Sequence, residues 1–234
     1  MSAGHVPGYA AQRERLEHYF DRTARHAWEQ LTSDAPVGRV RRTVRAGRDA
    51  MRATILDWLP ADMHGVRLLD AGCGTGALSV EAAHRGADVT AVDVASGLVN
   101  VARDRAPGFA APGRIDWRVA DMADPSLGEF DHVVAMDSLI HYPLDAIAAV
   151  VASLASRTRR SIILTFAPRT PALAAMHAVG RLFPNAKRAP GLEPMAEQAL
   201  RGALSTVRGW DAGRTQRISS GFYTSQALEL VRRG

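Results

Sequence analysis

The residues best suited to chemistry form a glycine-rich turn between an apolar run and a helical pattern. The turn reads Asp70-Ala-Gly72-Cys73-Gly74-Thr-Gly76. Glycines in such a turn let the backbone bend tightly and let a ligand approach it with no Cβ in the way. A pyrophosphate bound at the following helix N-terminus would lie close to the Asp70 carboxylate and be repelled by it. The turn therefore favours a cationic nucleoside that carries no phosphate.

S-adenosylmethionine is such a nucleoside, because it carries an ammonium and a sulfonium group. The alternative is a nicotinamide dinucleotide, which also binds at glycine-rich turns of this kind. Counting from Gly74, Ser79 stands where a third glycine would be expected, and this disfavours the dinucleotide. Counting from Gly72, however, Ala77 matches the G-x-G-x-x-A pattern, so spacing alone leaves the dinucleotide open.

Acidic residues also end the next strands predicted along the chain. Asp93, followed by Val94, ends the second strand, where a carboxylate can accept hydrogen bonds from both ribose hydroxyls. Asp121 follows the third strand and can accept from the adenine amine, while Met122 covers the ring. One such acid alone could be a solvated strand end or a helix cap. Three of them at one edge of a parallel sheet, behind a glycine turn, predict a cofactor site.

The fourth predicted strand leads into Asp137-Ser-Leu-Ile-His141-Tyr142-Pro143. This order places Asp137 beside the cofactor and His141 above its methyl group, although a histidine here can also be a hydrogen-bonded structural residue. After the fifth strand, two prolines hold Arg169 in a stiff loop. Its guanidinium can bind a substrate carboxylate there, or it can simply face solvent. We predict no metal site made by the chain itself.

Strands and helices alternate from about residue 66, which predicts a parallel sheet with helices on both faces. The last two strands are joined by Ser219-Ser220-Gly221, which predicts an antiparallel hairpin at the end of the sheet. The predicted fold class is therefore α/β, with a doubly wound, mostly parallel, seven-stranded sheet. The strands are predicted at 66–70, 88–93, 115–119, 130–136, 161–166, 210–218 and 222–231.

Two amphipathic helices, at 10–31 and about 40–58, precede the sheet. We predict residues 1–60 as an N-terminal helical arm or lid and residues 61–234 as the cofactor-binding α/β domain. Within that domain, 171–206 is mainly helical in pattern and broken by prolines. We predict it as an insertion on the substrate side.

Composition narrows the class of function. The chain has 234 residues, one cysteine and a net charge of +5. One cysteine forms no internal disulfide, and no apolar stretch is long enough to be a signal or to span a membrane, so we expect a cytoplasmic protein. The positive charge makes nucleic acid a partner to consider. Because the arginines are spread along the chain, we predict no nucleic-acid partner.

These residues resemble those of class I methyltransferases, which share the glycine turn, the second acid and the closing hairpin. More narrowly, the chain is similar to the magnesium protoporphyrin IX methyltransferase family of bacteriochlorophyll synthesis, and the similarity extends over nearly its whole length. The segments after the fourth and fifth strands are the most specific to that family. The residues that carry the resemblance are Tyr19-Phe20, Trp28, Arg45-Ala-Gly47, Asp70–Gly76, Asp137–Pro143, Phe166–Thr170, Leu182–Pro184 and Phe222-Tyr223.

The resemblance implies transfer of a methyl group from S-adenosylmethionine to one propionate of Mg-protoporphyrin IX, with S-adenosylhomocysteine as product. It implies that the porphyrin is contacted by Tyr19, Trp28, Tyr142 and Arg169. His141 is expected to position the propionate carboxylate. An alternative role for His141 is ligation of the magnesium, which ranks second because Mg²⁺ prefers oxygen ligands. It also implies handover from the large subunit of magnesium chelatase and loose association with photosynthetic membranes.

The chain departs from the family at two positions. Thr32 stands where members from oxygenic phototrophs carry a tyrosine, and Arg48 stands where a histidine is common. Three other functions stay open on the sequence. They are methylation of another small acceptor such as a quinone precursor, a non-catalytic porphyrin carrier, and a nucleic-acid methyltransferase. The last is disfavoured because Ser-Leu-Ile follows Asp137 in place of a Pro-Pro-Tyr segment.

Overall fold

The computed structural model describes residues 8–24, 38–106, 111–169 and 191–234. Helices and strands alternate through these residues in the predicted order. The helices are α1 (Tyr9–His18), α2 (Arg39–Trp58), α3 (Ala77–His84), α4 (Ser96–Asp104), α5 (Leu144–Ala155) and α6 (Glu197–Leu204). The strands are β1 (Arg67–Ala71), β2 (Asp88–Asp93), β3 (Arg114–Val119), β4 (Phe130–Ala135), β5 (Thr158–Phe166), β6 (Trp210–Ser220) and β7 (Tyr223–Arg232).

The strands form one sheet in the order β3-β2-β1-β4-β5-β7-β6. β1 to β5 are parallel, whereas β7 is antiparallel both to β5 and to β6. The predicted doubly wound sheet with a closing hairpin is therefore confirmed. From β1 the chain moves outward to β3 and then returns to β4 on the other side of β1. That reversal creates a crevice at the carboxyl ends of β1 and β4.

Neighbouring residues of the central strands belong to two separate hydrophobic cores, because side chains of a strand alternate between the faces of the sheet. Leu68 of β1 belongs to the core that contains Met51 and Ile55 of α2, whereas Leu69 belongs to the core that contains Ile147 of α5 and Leu200 of α6. Burial on both faces explains why the strands appear as nearly continuous apolar runs.

Helix α2 begins and ends within a residue of its predicted bounds and packs against β6 and β7. Gly47 makes the closest approach, since a Cβ on it would overlap the ring of Tyr223. The absence of a side chain at Gly47 therefore lets the helix lie directly on β7.

The N-terminal segment differs from its prediction as one helix over 10–31. Helix α1 ends at His18, and a π-helical stretch, Tyr19–Ala24, follows it. Asp21 in that stretch accepts a hydrogen bond of 2.7 Å from the backbone N–H of Gly97, at the start of α4. This hydrogen bond connects the π-helical stretch to α4. Trp28 and Thr32 lie outside the described residues.

Much of the predicted insertion at 171–206 also lies outside the described residues, and α6 is the helix that the structure describes within it. Within the described ranges, no helix is both long enough and apolar enough to cross a membrane. Those same ranges contain no group of three His, Cys, Asp or Glu side chains arranged to hold a metal ion.

Candidate active site

A cavity of about 290 Å³ lies at the crevice between β1 and β4. Eleven of the predicted site residues line it, and they come from the glycine turn, the ends of β2, β3 and β4, and the segment before α5. They are Asp70, Gly72, Cys73, Gly74, Asp93, Val94, Asp121, Met122, Asp137, His141 and Tyr142. The predicted cofactor and substrate residues thus share one space.

The glycine turn is hydrogen-bonded to β2, and Gly72 within it has no room for a side chain. The backbone N–H groups of Gly72 and Cys73 both donate to the carbonyl of Val92, at 2.8 and 2.9 Å. Gly72 has a φ of +86°, and a Cβ there would overlap the Cβ of Ser138. Gly74 also lines the cavity and has open space where a Cβ would be, so a ligand can approach the bare backbone of the turn there.

Asp70 lies below the turn and is only 2% exposed. Its carboxylate accepts a hydrogen bond of 2.6 Å from the Ser79 hydroxyl. Burial raises the pKa of Asp70 to about 6, although the hydrogen bond from Ser79 acts in the opposite direction. A cation bound in the cavity would stabilise the charged carboxylate, whose hydrogen-bond partner in the described part of the chain is the neutral Ser79 hydroxyl.

Asp93 connects the second strand to the glycine turn. Its two carboxylate oxygens accept backbone hydrogen bonds of 2.9 Å from Gly74 and from Ala95. Each carboxylate oxygen has a further lone pair, so both can still accept from a ligand hydroxyl. Burial raises the pKa of Asp93, while the hydrogen bonds from the backbone lower it.

Asp121 contacts the N-terminal helix, which the sequence did not predict. Its carboxylate accepts hydrogen bonds from the Tyr9 hydroxyl at 2.6 Å and from the Arg13 guanidinium at 3.0 Å. Tyr9 also stacks on Tyr142, with ring centroids 5.2 Å apart. Helix α1 therefore covers the part of the cavity where the adenine ring is predicted to bind.

His141 faces the cavity from the short turn before α5. Its Nδ1 lies 3.1 Å from the carbonyl oxygen of Gly191. Because a carbonyl only accepts hydrogen bonds, Nδ1 carries the proton and the neutral ring presents Nε2 as an acceptor. Burial lowers the pKa of His141, so the ring is mostly neutral at pH 7. Gln12 of α1 donates to the His141 carbonyl at 3.0 Å.

Asp137 is held by donors from three different elements. Arg48 of α2 forms an ion pair of 2.7 Å with its carboxylate. Hydroxyl groups of Thr165 on β5 and of Tyr223 and Ser225 on β7 each donate at 3.2 Å. The sequence predicts Asp137 beside the cofactor but does not predict these partners, because they lie far away along the chain.

Of the predicted site residues that the structure describes, three do not line the cavity. Gly76 packs under the ring of Trp117, which a Cβ at that position would overlap. Tyr19 is half-buried with its ring edge-on to Phe20, at 5.2 Å between centroids. Arg169 has an exposed side chain, and its backbone N–H donates to the Met195 carbonyl. The shape of the cavity therefore does not support the roles predicted for Gly76, Tyr19 and Arg169.

The comparisons with known proteins agree on one family. Residues 135–232 match the model of the magnesium-protoporphyrin IX methyltransferase C-terminus, and 68–161 match a methyltransferase domain. The magnesium-protoporphyrin O-methyltransferase of Rhodobacter capsulatus is 48% identical over 94% of this chain and 97% of its own length. The chain belongs to the magnesium-protoporphyrin methyltransferase family. Its Synechocystis member is 34% identical over 92% of this chain and 94% of that protein.

Solved structures of the family have the same fold. Magnesium protoporphyrin IX methyltransferase of Synechocystis with bound S-adenosylhomocysteine covers 93% of this chain and 98% of its own, at a TM-score of 0.82 and 32% identity. The same protein with bound S-adenosylmethionine covers 97% of this chain and 100% of its own, at a TM-score of 0.79 and 28% identity. By contrast, a ubiquinone biosynthesis O-methyltransferase of Xanthomonas oryzae matches over only 56% of either chain, at 37% identity.

We expect Asp93→Asn to weaken binding of S-adenosylhomocysteine about tenfold, because the substitution removes the charge and one of two acceptors for the ribose hydroxyls. Calorimetry measures the change. Asp88→Asn is the matched control, since Asp88 begins the same strand and pairs with the exposed Arg114 away from the cavity. Wild-type affinity in the Asp93 variant would remove the ribose assignment.

Proposed function

We propose that the protein transfers the methyl group of S-adenosylmethionine to one propionate carboxylate of Mg-protoporphyrin IX, giving the monomethyl ester. The observation that carries this proposal is 48% identity to the Rhodobacter enzyme over nearly the full length of both chains. The cavity supports it independently, because it brings the glycine turn and His141 together in one space.

The residues around the cavity fit S-adenosylmethionine better than a dinucleotide. Asp70 is buried with a raised pKa and would gain a positive partner from the ammonium and sulfonium of the cofactor. Asp93 would hold the ribose hydroxyls, and the backbone of Gly72 and Gly74 would lie against the bound molecule. A pyrophosphate would instead face the carboxylates of Asp70 and Asp93, so the dinucleotide left open by spacing is disfavoured by charge.

The cofactor supplies a methyl carbon bound to a positively charged sulfur. A propionate is already ionised at neutral pH, so the reaction needs no general base. One carboxylate oxygen forms the bond to the methyl carbon while the bond from carbon to sulfur breaks and its electron pair goes to sulfur. The contribution of the protein is then to hold the carboxylate in line and to exclude water, and such alignment can account for several kcal/mol.

His141 is proposed to hold the other oxygen of that carboxylate. Since Nδ1 donates to Gly191, the neutral ring has no hydrogen for the propionate, and Nε2 must take up a proton as the substrate binds. The charge of the propionate favours that protonation, and the resulting charge-assisted hydrogen bond offsets its cost. Tyr142, stacked on Tyr9 at the cavity wall, would contact the macrocycle.

Two further partners are proposed. The N-terminal end of α2 exposes Val40, at 50%, between Arg39 and Arg41. A basic surface with an apolar side chain suits peripheral contact with anionic lipid, and co-sedimentation with anionic vesicles tests it. Handover of the porphyrin from the magnesium chelatase large subunit follows from the resemblance, and binding of the two purified proteins tests it.

A turnover assay tests the function itself. Incubation with labelled S-adenosylmethionine and Mg-protoporphyrin IX should release S-adenosylhomocysteine and give one labelled ester per porphyrin. A quinone precursor offered in the same assay should remain unlabelled. A protein that binds the porphyrin and forms no ester would be a carrier, and labelling of the quinone precursor alone would identify a different acceptor. Either result would contradict the proposal.

A further inference from the structure

Asp137 has a left-handed backbone, with a φ of +53°, and no other non-glycine residue in the described ranges has a positive φ. Residues with a Cβ are uncommon in that region, and such a conformation persists only where the surroundings determine it. Strain of this kind clusters at ligand sites, and Asp137 lies on the wall of the cavity. Contacts of Asp137 with its surroundings must therefore stabilise this strained backbone conformation.

Four side chains donate hydrogen bonds to the Asp137 carboxylate and so hold the residue in place. The carboxylate receives hydrogen bonds from Arg48, Thr165, Tyr223 and Ser225 at 2.7 to 3.2 Å, and the Asp137 side chain is only 5% exposed. An ionised carboxylate has about four acceptor sites. These donors therefore use its accepting capacity, so the carboxylate acts on the backbone around it and not as a direct ligand of the cofactor.

The backbone that Asp137 controls forms part of the cofactor cavity. Met136, Asp137 and Ser138 all line that space. Ser138 packs so tightly on Gly72 that a Cβ on the glycine would overlap its own Cβ. Any shift of residues 136–138 would therefore change the width of the cavity beside the glycine turn, where the cofactor is expected to bind.

Tyr223 is suited to be a permanent donor in this arrangement. Its hydroxyl lies 3.2 Å from both carboxylate oxygens of Asp137. Burial, and then the negative charge of Asp137, raise the pKa of Tyr223 far above its usual value, so the hydroxyl keeps its hydrogen. Gly47 allows α2 to lie on the tyrosine ring, and this contact places Arg48 next to the same carboxylate.

We propose that Tyr223 and Ser225 of β7, together with Arg48 of α2, are positioning residues for methyl transfer. Through the Asp137 carboxylate they keep residues 136–138 in the shape that binds the cofactor. The inference deepens the proposed function and rests on it for the identity of the cofactor. It assigns a role at the site to the C-terminal hairpin, which contributes no residue to the cavity lining.

Tyr223→Phe tests this role, because it removes only the hydroxyl. We expect the affinity for S-adenosylhomocysteine to fall about tenfold, as expected for loss of a hydrogen bond to a charged group. The KM for S-adenosylmethionine should rise by a similar factor, while the KM for the porphyrin stays unchanged. Ser225→Ala should act in the same direction, since it removes another donor to the same carboxylate.

Two comparisons separate positioning from general stability. Thr215→Val is the matched control, because the Thr215 hydroxyl bonds to the Ala227 carbonyl on the same hairpin and does not contact Asp137. It should bind S-adenosylhomocysteine as the wild type does. In an Asp137→Gly background, where glycine adopts the left-handed backbone without support, Tyr223→Phe should have no further effect on that affinity.

Three results would overturn the inference. They are wild-type affinity in Tyr223→Phe and Ser225→Ala, an equal loss in Thr215→Val, and an undiminished effect of Tyr223→Phe in the Asp137→Gly background. Calorimetry with S-adenosylhomocysteine requires no porphyrin. A wild-type protein that binds this product yet makes no porphyrin ester would therefore contradict the proposed function alone and leave the inference on Asp137 testable.

Discussion

Asp70→Asn should make the cofactor-free protein more stable and at the same time weaken S-adenosylmethionine binding about a hundredfold. Both effects come from one buried carboxylate. In the free protein its charge is costly, because the group is 2% exposed and its hydrogen-bond partner is the neutral Ser79 hydroxyl. In the complex the same charge faces a cation, and loss of one member of a buried ion pair typically costs several kcal/mol.

The pH dependence of stability follows from the raised pKa. Burial takes the pKa of Asp70 from 3.8 in the unfolded chain to about 6 in the folded protein. The folded state therefore holds the proton more tightly, and stability falls as the pH rises from about 4 to about 6. Above that range the ionised group costs about 3 kcal/mol, since one pKa unit is 1.36 kcal/mol. Asp70→Asn should unfold at a higher temperature than the wild type at pH 7 and at nearly the same temperature at pH 4.

Cofactor binding should show the opposite trend. Below pH 6, wild-type affinity for S-adenosylmethionine should fall about tenfold per pH unit, because Asp70 must lose its proton first. Affinity of the Asp70→Asn variant should be nearly flat over the same range. Asp116→Asn provides a control, since Asp116 is an exposed carboxylate paired with Arg118 on β3. Equal wild-type affinity at pH 5 and pH 7 would contradict the electrostatic account of the site.

His141→Ala should lower kcat about a hundredfold while S-adenosylhomocysteine affinity changes less than twofold. Without His141 the propionate carboxylate would be misplaced, and a shift of about 1 Å in a reacting group can lower the rate about 10²-fold. Cofactor affinity should survive, because Asp70 and Asp93 lie on other strands. Normal turnover in the variant would mean that His141 serves the fold and not the reaction. Stopped-flow kinetics and calorimetry provide the two measurements.

Varying the pH and the metal of the porphyrin distinguishes two roles for His141, which are holding the propionate and ligating the metal. If Nε2 takes up a proton to hold the propionate, the KM for the porphyrin should rise with pH above the lowered pKa of the ring. The loss caused by His141→Ala should then be equal for magnesium, zinc and metal-free protoporphyrin. If Nε2 were instead a ligand of the metal, the neutral ring would bind best. The KM would fall with pH, and the loss would be absent for the metal-free porphyrin.

The sheet could be predicted from sequence because its signals are local. Runs such as Val66–Asp70, bounded by acids, glycines or prolines, predict the five parallel strands to within a few residues. The N-terminal contacts could not be predicted in the same way. Tyr9 and Asp121 are 112 residues apart, and neither has a local pattern that identifies the other. The apolar stripe over 10–31 likewise did not predict that Asp21 would turn towards α4.

Residue type and spacing also could not separate two uses of glycine. Gly74 leaves open space at the cavity, whereas Gly76 leaves room for Trp117, and both belong to the same short motif. The direction of the Arg169 side chain could not be predicted either. The flanking prolines predict a stiff loop, but they do not indicate that the side chain is exposed. Asp137 lies at the cavity as predicted. Its partners on α2, β5 and β7 could not be predicted, because they come close to Asp137 only when the whole sheet has formed.

The Asp137 contacts also bear on the order in which the chain folds. Arg48 precedes Asp137 by 89 residues, and Tyr223 follows it by 86. Contacts over such separations carry a large loop-closure entropy and form late. A nascent chain can build β1 to β5 while translation continues, but the left-handed residue gains its full support only after β7 has left the ribosome. Cofactor affinity should therefore arise abruptly with synthesis of the final hairpin.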